Sequence, residues 1–235
     1  MVSRTQILIA LGIAVLIALG AGAWLVFFRS GANAPTVPVS GRGYEVVASD
    51  RTLGDPKAKL VLIEYAAPIC PHCARFNANV FALVKRNYID TGKVYYVFRV
   101  FPLAAADGAA EKLARCLPKS RYFEFLDLLF RNQTQWDPEY GESTPVLQTE
   151  AGVHAGLLKI AAMAGLGADQ ADKCINSTAD DDRINKVGME ALSRYGINST
   201  PSFVLDGALM EPPYLREWTY DDMAKGLDDA LAAKR

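Results

Sequence analysis

Cys70-Pro71-His72-Cys73 is the stretch of this 235-residue chain whose residue types and spacing can do redox chemistry. Two thiols at this spacing can close a disulfide with each other, or one can resolve a mixed disulfide formed at the other. An apolar run precedes the motif and helical periodicity follows it, which puts Cys70 at a helix N-terminus. Unpaired amide N–H groups and the helix dipole favour a thiolate there. Pro71 suits the first helical turn, where its missing N–H has no intrahelical partner. His72, when protonated, adds positive charge within reach of the sulfur. A stabilised thiolate favours the reduced form and makes the oxidised pair a strong oxidant. Haem attachment needs a histidine directly after the second cysteine, and Ala74 stands there. A zinc site wants a second close ligand pair, whereas Cys116, Cys174 and His154 are scattered. A passive structural disulfide is the remaining alternative, weakened because so short a ring is readily reduced.

The elements around the motif must hold it in place. Leu60-Val61-Leu62-Ile63-Glu64-Tyr65 reads as a buried central strand with one acid in it. Residues 70–87 read as a helix, with Phe76, Val80, Leu83, Val84 and Asn87 on one face. Residues 94–100 form a second strand, so the three elements make a βαβ unit with a parallel pair. From 104 to 195 the signals are helical: 109–116, 122–131, a loop over 133–145, then 153–164 and 168–176. A last helix follows the cap candidates Ser177 and Thr178 and ends at Gly196. The acidic run Asp180-Asp181-Asp182 begins this helix and needs no partner, and His154 reads as a surface or satisfied residue. Strand character returns at 202–205, with a turn at Asp206-Gly207, a partner strand at 208–210 and a terminal helix over about 221–233. The class is α/β: residues 44–103 and 196–235 form one domain, split by an all-helical insertion at 104–195. Pro201 opens the returning strand; alone, it is as well read as an ordinary strand-start proline.

Ile7 to Phe28 holds 22 residues without a charge, enough helix to cross a bilayer. Residues 1–28 therefore read as an uncleaved anchor with a lipid bilayer as partner, and 29–43, rich in Gly, Pro and Ser, as a flexible tether. A cleaved signal and a buried core helix are the alternatives. Arg4 on one side and Arg29 and Arg42 on the other leave the orientation undecided. Apolar residues are 51% of the chain, which excludes disorder, and the net charge of −1 gives no basic excess for nucleic acid.

Taken together, Cys70-Pro71-His72-Cys73, the βαβ unit, Asn198-Ser199-Thr200-Pro201-Ser202-Phe203 and the large helical insertion resemble the thioredoxin superfamily, and its DsbA-type branch in particular. Arg99-Val100-Phe101-Pro102-Leu103 is similar to a segment of that group, and the resemblance covers about residues 44–235. It implies a thioredoxin fold interrupted by the insertion, which the apolar run at 7–28 precedes as one N-terminal transmembrane helix. It implies Cys70 as exposed nucleophile, Cys73 as buried partner, a cis Pro201, and Thr200 offering its backbone to an extended substrate. Glu64, six residues before Cys70, matches the buried acid that relays the Cys73 proton; read alone, it could also sit at a sheet edge or pair with a lysine. Two residues depart from the family pattern. Ile69 stands where an aromatic is usual, and Thr200 where strong oxidases carry valine, a feature more typical of isomerase-like members.

The function this implies is a membrane-tethered thiol–disulfide oxidase acting on reduced exported polypeptides. It is reoxidised by a quinone-linked membrane partner of the DsbB type and needs no cofactor or metal beyond the cysteine pair. An isomerase or reductase of the same fold is the runner-up, and a chaperone or metal-binding module comes from another class. The implied location is the inner membrane with the catalytic domain facing the periplasm; a Gram-positive surface or a soluble periplasmic form are alternatives. Cys116 and Cys174 are either two separate buried thiols or, as an oxidising compartment favours, a structural disulfide closing a loop worth about 4 kcal/mol.

Overall fold

The structure, a computed structural model, describes residues 44–137, 149–213 and 217–234. The anchor read over 1–28, the tether over 29–43 and the 133–145 loop from 138 onward lie outside the described residues. Among the described residues no helix is long and apolar enough to cross a membrane.

The described strands form one sheet in the order β1-β3-β2-β4-β5: β1 (Arg51–Leu53), β2 (Leu60–Ala66), β3 (Val94–Val100), β4 (Ser202–Leu205) and β5 (Ala208–Leu209). β2 and β3 run parallel, Leu60 opposite Val94 and Ala66 opposite Val100, while the other pairs are antiparallel. All seven residues of β2 are buried, as a near-continuous apolar strand covered on both faces must be. The two-residue period sends Leu60 and Leu62 into one core with Tyr96, Phe98 and Phe203. Val61, Ile63 and Tyr65 enter the other, with Val97, Val204 and Ala191. β1 is an element that sequence patterning did not suggest: three half-buried residues, one of them charged, carry no alternation to read.

Between β2 and β3 the chain is helical. α1 (Pro71–Phe76) runs on through wide π turns at Asn77–Phe81 and Lys85–Ile89, with Ala82–Val84 between them. Its buried positions are Cys73, Phe76, Val80, Val84, Tyr88 and Ile89. An extra residue per wide turn keeps i+4 positions in line, so Tyr88 takes the core place expected of Asn87. Asn87 instead donates its amide to the Tyr220 hydroxyl at 2.7 Å.

The insertion comprises α2 (Ala105–Cys116), α3 (Tyr122–Arg131), α4 (Glu150–Met163), α5 (Ala168–Ile175) and α6 (Asp181–Tyr195), and α7 (Tyr220–Ala233) closes the chain. α2 starts four residues earlier than its apolar pattern implied because Asp107 caps it, accepting the Leu103 and Ala104 N–H groups at 2.8 and 3.0 Å. α6 starts later than the cap candidates, after Asp180, because residues 177–180 form a turn in which Thr178 O takes the Asp181 N–H at 3.2 Å. Its acidic run does have partners: Asp181 meets Lys112 at 3.1 Å and Asp180 meets Arg183 at 2.7 Å. His154 Nε2 lies 3.0 Å from Asp172, linking α4 to α5. Gly196 ends α6 with φ +69°, its N–H on Leu192 O at 2.9 Å and the Ile197 N–H on Ala191 O at 3.2 Å. That turn hands the chain to β4. Phe203 of β4 is wholly buried, its ring 4.7 Å from Phe76 and 5.0 Å from Trp218, which fixes the loop before β4 against α1.

Candidate active site

Cys70 is the N-cap of α1, with extended backbone angles (φ −70°, ψ 118°), and Pro71 opens the helix behind it. The cap is made by sulfur: Cys70 Sγ accepts the Cys73 N–H at 3.4 Å, in the place a serine or aspartate oxygen usually fills. The two cysteines are unbonded thiols. The Thr200–Pro201 peptide is cis, and the Thr200 carbonyl accepts a hydrogen bond from Cys70 Sγ at 3.3 Å. Cys70 is consequently 5% exposed, which corrects the exposed nucleophile expected from sequence, while Cys73 is 0% exposed. The loop bearing Thr200 lies over the sulfur and covers it.

The electrostatics separate the pair. Hydrogen bonding from the Cys73 thiol, then from Thr200 and from the Cys73 and His72 backbone N–H groups, outweighs burial and lowers the Cys70 thiol to about 6. Burial, above all, pushes the Cys73 thiol well up, and Cys70 and Glu64 add to the effect. Glu64 projects from β2 onto the face that carries Leu62 and is 3% exposed, accepting the Tyr96 hydroxyl at 2.6 Å. Burial raises its carboxyl to about 7, a rise that the Tyr96 hydrogen bond restrains and the nearby Cys70 charge assists. The buried position next to β3 excludes a sheet-edge place for Glu64.

Two side chains of the insertion hold the turn that leads into Cys70. Asp107, 0% exposed, accepts the Ile69 N–H at 2.9 Å besides capping α2. Burial raises its carboxyl to about 6 against the three N–H donors. From the other side, the buried Gln133 amide donates to Pro68 O at 2.8 Å and Cys70 O at 3.1 Å. The insertion thus grips three successive residues, Pro68, Ile69 and Cys70.

At the surface, the His72 ring turns to Arg75 and Glu217, with Nδ1 3.0 Å from the guanidinium and 3.5 Å from the carboxylate. Arg75 and Glu217 are themselves joined. A groove of about 250 Å³ opens beside the Thr200–Pro201 loop, lined by His72, Phe76, Thr200, Pro201, Glu217 and Trp218.

The structure thus gathers Glu64, Cys70, Pro71, His72, Cys73, Thr200 and Pro201 at one end of the sheet. Cys116 and Cys174 are elsewhere: they are joined by a disulfide, Cα–Cα 6.2 Å, that ties the end of α2 to α5 within the insertion. Sequence reasoning missed Tyr96, Asp107, Gln133, Arg75 and Glu217. For Asp107 a signal existed, an acid at the third position of a helix. For Gln133, in a short turn after α3, none did.

A family model described as Thioredoxin matches residues 47–229. A Rickettsia typhi protein named as a protein-disulfide oxidoreductase is 28% identical over 190 residues, 80% of this chain. The chain spans 64% of that relative's length. A Bacillus cereus protein named as disulfide bond formation protein D is 26% identical over 196 residues, 81% of this chain and 83% of its own length. Among solved structures, the crystal structure of Wolbachia pipientis alpha-DsbA1 aligns with a TM-score of 0.66 at 30% identity, covering 81% of this chain and 96% of that one.

Proposed function

We infer the function from one premise: the chain belongs to the thioredoxin family, among its DsbA-like members. It is a protein-disulfide oxidoreductase that introduces disulfides into exported proteins. The observation that carries this reading is the Cys70 thiol, lowered to about 6 at the helix N-terminus beside the Thr200–Pro201 loop. A thiol ionised at neutral pH is a good leaving group, and its stability drives the enzyme's disulfide toward reduction.

In the oxidised enzyme Cys70 and Cys73 share a disulfide. A client thiolate, paired along Thr200 in the groove, attacks Cys70 Sγ; the Cys70–Cys73 bond breaks and Cys73 leaves as thiolate. Glu64, protonated in part at neutral pH because of its burial, supplies the proton that Cys73 takes up. A second client thiolate then attacks the client sulfur of the mixed disulfide. The client disulfide forms and Cys70 departs as a stable thiolate. Two client thiols are oxidised and one enzyme disulfide is reduced to the dithiol. A quinone-linked membrane protein of the DsbB type takes up those two electrons, and no resident cofactor takes part. The apolar run at 7–28 supports tethering to a membrane, with the remainder on its non-cytosolic face, periplasmic in a cell with two membranes.

Thr200 favours a second reading, isomerase or reductase, since the residue before the cis proline meets the sulfur through its carbonyl and here also carries a buried hydroxyl. The reduction potential of the Cys70–Cys73 couple decides between them. A value near the about −120 mV of DsbA is expected, and one near the about −270 mV of thioredoxin overturns the oxidase reading. Cys73→Ser should trap clients as mixed disulfides on Cys70, and Cys70→Ser should trap none.

A further inference from the structure

We propose that Tyr96 is the positioning residue of the proton relay, its hydroxyl engaging one oxygen of Glu64 so that the other exchanges the proton with Cys73. The proposal rests on the reading of Glu64 as the relay and adds the group that governs it. Glu64 is paired in register with Phe98 on β3 and Phe203 on β4, both apolar, so its sheet neighbours offer it no polar side chain. Tyr96 stands two residues before Phe98 on the same face. Its ring runs along the sheet and brings Oη to 2.6 Å from Glu64 Oε2. The titratable groups that face Glu64 are Tyr96 from β3 and Cys70 and Cys73 from α1.

The ring does not depend on the hydroxyl for its place. Phe81 of the α1 run packs against it at 5.0 Å and Phe123 of α3 at 6.0 Å. Burial holds the Tyr96 hydroxyl protonated far above neutral pH, so it remains a donor through the cycle. A phenol has one hydrogen to give. Given to Oε2, it leaves Oε1 to carry the mobile proton when Glu64 is neutral. It also favours the ionised carboxylate, offsetting part of the effect of burial and keeping Glu64 near neutrality. During closure of a mixed disulfide, Glu64 takes the proton of the Cys73 thiol. The Cys73 thiolate then forms the bond to Cys70 Sγ as the partner thiolate leaves.

The test separates the two steps of oxidation of the reduced full chain by oxidised glutathione, using quenched-flow mass spectrometry from pH 5 to 9. Formation of the Cys70–glutathione adduct reports Cys70; its closure reports Cys73 and the relay. In the wild type, closure should rise with a midpoint near 7. Tyr96→Phe should move that midpoint up by about one pH unit and leave adduct formation unchanged. Glu64→Gln should slow closure and remove the midpoint, and adding Tyr96→Phe to it should change nothing more. A Tyr96→Phe profile that matches the wild type, with Glu64→Gln displaced, overturns the role of Tyr96 and leaves the relay standing. A wild-type profile in Glu64→Gln removes the relay itself. A second readout needs no change at Tyr96: the Glu64 carboxyl stretch, assigned by its loss in Glu64→Gln, should be that of a hydrogen-bonded carboxyl at acid pH. A free-carboxyl band overturns the proposal.

Discussion

Glu64 and Asp107 are both buried carboxyl groups beside the same thiols, yet they are equipped in opposite ways. Glu64 comes from the sheet beneath the cysteine pair and has the Tyr96 hydroxyl as donor; burial takes it to about 7. Asp107 comes from the insertion and has three backbone N–H donors at 2.8–3.0 Å; burial takes it to about 6. Asp107 is committed to backbone by its three donors, whereas Glu64, with one donor and raised to about 7, lies nearer its midpoint at neutral pH. Desolvation raises both, and three donors against one separate the fixed anchor from the proposed proton carrier. In the proposed relay the sheet serves proton traffic, while the insertion's contacts serve geometry.

That division can be broken in four places. The largest effect is expected from opening the insertion's disulfide with Cys116→Ala and Cys174→Ala. Loop-closure entropy over a separation of 58 residues makes this cost about 4 kcal/mol in urea unfolding. Cys70 should titrate as before in that variant; a displaced titration would mean that insertion stability and site chemistry are one property.

Next is the pH dependence of stability. Glu64 is raised in the folded state from 4.5 to about 7, so no penalty exists below 4.5, where both states are protonated. As pH rises toward 7 the unfolded chain ionises first, and stability should fall by about 3 kcal/mol. Glu64→Gln should flatten that slope, leaving the component of Asp107 between 3.8 and about 6. An unchanged slope in chemical denaturation at stepped pH would remove Glu64 from this account.

Asp107→Asn comes third. One amide oxygen cannot serve three N–H groups, and its NH₂ faces a donor, so about 2 kcal/mol should be lost at pH 7. Closure by Cys73 should keep its midpoint, since the proposed relay lies on the sheet side.

The smallest effect is Gln133→Met, which keeps size and removes two donated hydrogen bonds for about 1 kcal/mol. Its signature is chemical: with the Cys70 cap loosened, pH-dependent alkylation should place the Cys70 thiol above about 6. Alkylation identical to wild type would reduce Gln133 to packing.

What could be read from sequence follows the same division. Strand β2, the cysteines and α1 are contiguous, so apolar runs, helical periodicity and the cap position of Cys70 were legible from local pattern alone. Pro201 and Glu64 became legible through family resemblance. Asp107 and Gln133 reach the site across 38 and 63 residues, and nothing local to either residue marks its target. Tyr96 reads as one more strand aromatic, because its use depends on which strand lies beside β2. The Asn87 and Tyr88 exchange has another cause, since turns wider than 3.6 residues shift a helical face without leaving a trace in composition.

The sheet ends in three residues at β1 and in two at β5. For a protein proposed to handle unfolded chains, those lengths govern its own solubility. Such chains carry unsatisfied rows of N–H and C=O groups that lengthen any sheet offering a free border. Borders this short give an incoming strand too small a ledge to hold. The molecule should therefore have little tendency to add aggregation-prone chains to β1 or β5.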